Sequence, residues 1–140
     1  MTYINTQPTR EKFLYFRTEA TDTSAITAAH AVCFPASSLM GMAHKGRTSV
    51  TLYFKSLVRR TPSGNEHDAD ASFDNHDTVV LTVTTETQLT TITAIAEAIS
   101  NPNLPSILVV ANDDSGGTQY LPGSTITACG TITVAPAYAN

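Results

Sequence analysis

With 140 residues, 41% of them hydrophobic and 14% charged, the chain has the length of one domain, 1–140, with room for a sizeable core. No stretch approaches the roughly 18 apolar residues of a membrane span, and MTYINTQPTREKF lacks the apolar segment of a signal peptide, so no membrane partner is expected. The formal net charge of -4 excludes a strongly basic surface.

KFLYFR, Lys12 to Arg17, reads as a short strand whose aromatics face both ways. A polar connection follows, and then AVCFPASSLMGMA, Ala31 to Ala43, reads as a second extended piece. Pro35 has no N–H to give to a ladder, so it marks a bulge or an edge there. His30 and His44 flank this piece and Ser37–Ser38 lie within it, but there is no GxSxG elbow and no orienting acid, so a structural role is expected for them.

AHKGR, Ala43 to Arg47, is a turn in which Gly46 supplies a positive φ. RTSVTLYFK then alternates. Val50, Leu52 and Phe54 face one way, and Ser49, Thr51, Tyr53 and Lys55 the other, which predicts a half-buried strand.

Thr61 to Asp77 is rich in Pro, Gly and acid and reads as a long exposed loop. It holds Glu66, Asp68, Asp70, Asp74 and Asp77, five of the 12 acidic residues, so the acidity is local and the rest of the surface can carry a basic patch. His67, Asp68, Asp70, Asp74, His76 and Asp77 do not have the spacing of a calcium loop or of HExxH, and no metal or other cofactor is expected.

TVVLTVT, Thr78 to Thr84, is the next strand and pairs with the previous one as a hairpin closed by the acidic loop. TETQ opens the one helix, with Thr85 and Gln88 at capping-box spacing. Leu89, Ile92, Ile95, Ala96 and Ile99 define its apolar face, which is expected to cover the sheet, and Asn101–Pro102 stop it. SILVVAND, Ser106 to Asp113, is an apolar strand, and STITACGTITVA, Ser124 to Ala135, is the last, with Gly130 marking a bulge or sharp bend. Two cysteines, Cys33 and Cys129, are too few for a disulfide framework and are expected to be buried free thiols in a reducing cytoplasm.

These elements predict a mainly β fold: a small, strongly bent barrel of five to six strands with one amphipathic helix. The uncharged β-rich segment ITACGTITV invites pairing with another copy, so a homo-oligomer is expected. No catalytic set is present, and the protein is expected not to be an enzyme. Lys45, Arg47, Tyr53, Lys55, Arg59 and Arg60 mix cations with an aromatic ring, which suits phosphates and stacked bases of single-stranded nucleic acid. Repetition around a ring would turn this sparse set into a multivalent surface.

FLYFRT, AVCFPASSLMGM, SVTLYFKS, DTVVLTVT, TAIAEAIS and YLPGSTITACGTITVA together resemble a family of small marine-metagenome proteins of cyanophage origin, associated with the Sm-like (SH3-type) fold. The resemblance implies a bent barrel, assembly into a ring and contact with RNA or DNA in the cytoplasm of the infected host cell. A phage virion or assembly component without nucleic-acid binding is the alternative. The Sm-like pattern places its helix before the first strand, whereas the helix here falls at 87–100, so no RNA-binding residue carries over by position.

Overall fold

Alternation in SVTLYFK and HDTVVLTV sets the first layer of the molecule. The computed structural model describes residues 11–21, 25–56 and 76–134. Its strands are β1 (Phe13–Arg17), β2 (Ala31–Pro35), β3 (Leu39–Lys45), β4 (Ser49–Lys55), β5 (His76–Val83), β6 (Ile107–Asn112), β7 (Gln119–Tyr120) and β8 (Ile126–Thr133), with one helix, α1 (Gln88–Ser100), between β5 and β6. They form two four-stranded sheets, ordered β2-β1-β6-β7 and β3-β4-β5-β8. The protein is thus mainly β, with two sheets and one helix, and no closed barrel forms among the described residues. The strands outnumber the expected five or six for two reasons. Pro35 ends β2 and a 3-10 turn, Ala36–Ser38, turns the chain into the other sheet, so one extended piece becomes two strands. Gln119–Tyr120 adds a two-residue strand too short to leave a periodic signal.

The hairpin predictions hold. Gly46 takes φ +61° in the β3–β4 turn, and β4 pairs antiparallel with β5 from Ser49–Thr82 to Lys55–His76. That ladder runs further than expected. His76 and Asp77 belong to β5 and not to the acidic loop, and Asp77, opposite Phe54, is fully buried. Val50, Leu52, Phe54, Val79 and Leu81 are completely enclosed. Phe54 stacks on Phe34 of the other sheet, with centroids 4.2 Å apart and rings within 5° of parallel. Phe16 meets both rings edge-on, at 5.8 and 6.3 Å. These three rings interlock the sheets, each contact adding roughly 0.5–1.5 kcal/mol beyond the buried area.

β1 lies antiparallel to β2 and parallel to β6. The parallel pair joins Phe13 to Ile107, segments about two thirds of the chain length apart, which sequence periodicity cannot reveal.

At the far side the sheets approach each other along β6 and β8 and are tied by side chains. Asp113, just beyond β6, accepts the Cys129 N–H at 3.0 Å and the Tyr120 hydroxyl at 2.5 Å. Its own N–H donates to Arg17 O at 3.0 Å. Thr18 Oγ1 donates to Cys129 O at 3.0 Å. Both backbone groups of Cys129 are therefore satisfied from the opposite sheet, as buried backbone requires. The middle of β8, expected to recruit another copy, is already engaged here.

α1 keeps the middle of its expected face, with Ile95 buried and Ile92 and Ile99 packed against the core, but Leu89 and Ala96 are exposed. The buried residues are Gln88, Thr91, Ala94, Ile95 and Ala98, while Leu89 is exposed. No capping box forms: Gln88 Nε2 donates instead to Gly46 O at 2.8 Å, and Thr87 takes the N-cap position with its hydroxyl turned to Thr84 O, at 2.6 Å, and not to the helix. The rotation follows from threonine chemistry. Thr91 Oγ1 accepts the Thr125 N–H at 3.1 Å, and Thr125 Oγ1 lies 2.6 Å from that of Thr87. These bonds turn the Thr edge of α1 inward. The Lys12 ammonium closes the other end, donating to Ala98 O at 2.8 Å and to Asn101 O.

Gly130 sits in the bulge anticipated for it. Val79 faces Ile132 and Leu81 faces Cys129, so one residue of β5 opposes two of β8. A Cβ at Gly130 would lie 2.6 Å from Val80 O. Gly130→Ala should therefore lower unfolding free energy by on the order of 1–3 kcal/mol, read by urea titration; a change within error would show that the bulge tolerates a side chain.

Burial, reinforced by the Asp113 charge, pushes the Cys129 thiol from 9.0 up to about 12, and burial, the hydrogen bond to Asp113 and the Asp113 charge raise Tyr120 from 10.0 to about 12. Because the folded values are raised, this stabilisation is complete below pH 9 and is lost as pH climbs toward 12. Denaturant midpoints should fall through that window, and native Cys129 should resist alkylation at pH 8 until the chain is unfolded.

Candidate functional site

Strand pairing places Lys45, Ser49, Thr51, Tyr53 and Lys55 on one outer face, since Lys45 is opposite Ser49 and alternate residues of β4 follow. The expected common face is real, but the cations do not gather on it. Lys45 lies at the hairpin end of β4 and Lys55 at the other, six residues away, roughly 20 Å at ~3.3 Å per residue. Arg47, in the turn, pairs with Glu86 at 3.3 Å, both side chains being largely exposed. Such a pair contributes little stability but offsets the arginine charge.

Tyr53 and Lys55 keep company with His76. The Tyr53 and His76 rings are 5.9 Å apart and tilted by 54°, and Lys55 is the direct strand partner of His76. This end of the sheet thus brings two flat rings and one ammonium together. Arg59, Arg60 and the acidic residues Glu66, Asp68, Asp70 and Asp74, with His67, lie outside the described residues. Among the described residues no group of three His, Cys, Asp or Glu side chains converges as metal ligands would.

The serines and histidines near β2 are occupied locally. Ser37 bonds the Glu11 carboxylate, Ser38 donates to Pro35 O at 2.7 Å, and His30 Nδ1 accepts the Thr27 N–H at 3.1 Å.

The feature not anticipated is apolar. Of the five large hydrophobic side chains left exposed among the described residues, Phe13, Leu89, Leu104 and Ile107 surround the start of β6, and Met40 lies elsewhere. Leu89, Leu104 and Ile107 line a groove of about 690 Å³ between α1, the first half of β6 and residues 119–123. The groove exists because β7 pairs only with Ala111 and Asn112, leaving Ile107–Val109 without a strand partner on that side. Leu121 N still bonds Val110 O, and Pro122, which lacks an N–H, follows.

Cys33 also departs from expectation. It is exposed, with burial of part of its surface raising its thiol pKa, whereas Cys129 is buried. β2 has one side against the core and Cys33 is on the other, opposite Tyr15. The available signal was the absence of alternation: FLYF and ILVVA are apolar at both sets of positions, whereas a strand with one wet face alternates.

No helix among the described residues is long and apolar enough to cross a membrane. No protein-family model, no curated protein and no solved structure matches the chain.

Proposed function

We propose that this protein is a non-enzymatic assembly subunit, acting as one copy of a homo-oligomer; in the phage setting suggested by the sequence resemblance, that is a virion or assembly component. The observation that carries this reading is the gathering of Phe13, Leu89, Leu104 and Ile107 at one end of β6. Contiguous exposed apolar surface on a small domain marks contact with another protein. Among the described residues, the scattered cations of sheet β3-β4-β5-β8 offer no comparable concentration of charge.

A second reading, sequence-tolerant binding of RNA or DNA by a ring of copies, is supported by the Tyr53, His76 and Lys55 grouping. Lys45 and Arg47 would then serve a different part of the ring, and Arg59 and Arg60 follow Lys55 in the sequence. A strongly bent, Sm-like barrel is the matching fold proposal. It draws support from the approach of β6 to β8, where side chains bridge the two sheets.

Sedimentation velocity separates assembly from its absence: the expected species is a multiple of 14.9 kDa at micromolar concentration, and a strictly monomeric protein would overturn the assembly reading. For the second reading, anisotropy of a labelled single-stranded oligonucleotide should rise at low salt, fall steeply toward moderate salt and weaken in Lys55→Ala. A flat titration at low salt removes it.

A further inference from the structure

We propose that the groove between α1 and β6 receives the outer edge of β3 from a second copy, with Lys45 of one subunit meeting Glu97 of the other. This inference rests on the assembly reading and names its contact. Charge points to it first. Glu97 is the one charged side chain among the described residues that line the groove. It is also the one described carboxylate that no hydrogen bond or ion pair engages, every other having a neighbour within the subunit. Of the described lysines and arginines, Lys12, Arg17 and Arg47 are engaged in the same way, which leaves Lys45 and Lys55. Lys55 belongs to β4, an inner strand, whereas Lys45 ends β3, which has no neighbour on its outer side.

Backbone geometry fits the same occupant. Ser106 O accepts the Phe13 N–H at 2.7 Å, so Ile107, the next residue, aims its N–H and C=O away from β1 and toward the groove, below the reach of β7. A free strand edge beside a groove takes an extended backbone, and the seven residues of β3 present one. The other edges are spoken for: Asp113 and Thr18 tie Cys129 in β8, and Pro35 ends β2. The spans also agree. Lys12 bonds Ala98 O and Asn101 O while Phe13 bonds Ser106 O, so the Glu97 end of α1 lies beside the start of β6. Leu89, 67% exposed, lies eight residues back along α1, roughly 12 Å at ~1.5 Å per residue. Met40, 53% exposed, lies five residues before Lys45, roughly 17 Å at ~3.3 Å per residue. The long lysine side chain takes up the difference. With Lys45 at Glu97, Met40 meets Leu89, and β3 runs antiparallel to β6, the commoner pairing.

The test exchanges the charges. Glu97→Lys and Lys45→Glu each set like charges against one another and, at low ionic strength, should raise the dissociation constant by roughly tenfold in sedimentation velocity. Both side chains are exposed, and circular dichroism checks that each variant stays folded. Association should return in the double variant, and also when the two single variants are mixed, because each mixture contact again joins opposite charges. If wild type is monomeric throughout, the assembly reading and this contact fall together. If wild type associates while either reversal leaves association unchanged, or while the opposite charge fails to restore it, assembly stands and the contact of β3 with the groove is overturned.

Discussion

Two sheets that share no continuous ladder stay in one relation because the Asp113 carboxylate holds Cys129 and Tyr120 together. One oxygen takes a backbone N–H from β8 and the other a phenol from β7, while the Asp113 N–H binds the end of β1. A single residue thus touches three strands from both sheets, two through its carboxylate and one through its backbone. Its strength comes from charge-assisted bonds in a partly dry setting, where leaving the Cys129 amide unmet would be expensive. The phenylalanine cluster fills the space between the sheets, but rings slide more easily than hydrogen bonds break. Asp113 and the rings of Phe16, Phe34 and Phe54 thus fix the two sheets at separate places.

Much of this was legible from residues one strand apart. Val50, Leu52 and Phe54 alternate and are buried, Gly46 turns the hairpin, Pro35 breaks an extended piece, and Gly130 makes room for a bulge. Each depends on local chemistry. What escaped reading depends on distant partners. The parallel contact of Tyr15 with Val109 leaves no trace in spacing. α1 was expected to bury Leu89 and Ala96, and instead turns Thr91 inward because Thr125 offers it a hydrogen bond. Gln88 has the spacing of a capping residue, yet Gly46 O, 42 positions away, claims its amide.

The candidate site shows the same division. That Lys45, Tyr53 and Lys55 share a face could be read from alternation, because parity survives folding. That Lys45 sits at the opposite end of the sheet from Tyr53 and Lys55 also follows from strand length, though counting cations hides it. The apolar rows were half legible: FLYF announced aromatics on both sides, but only the pairing of Phe13 with Ile107 and Pro35 shows that the outward members form one surface. Composition averaged that surface away, since Thr and Ser elsewhere balance it.

Lys12 closes the carbonyl end of α1 from 86 residues upstream. A growing polypeptide emerges front end first, so this lysine leaves the ribosome long before the helix it will terminate exists. Until synthesis has passed Asn101 its ammonium can only wait in water, and the helix end stays ragged. The last turn of α1 is therefore a late acquisition, finished when the earlier-made Lys12 segment returns to it.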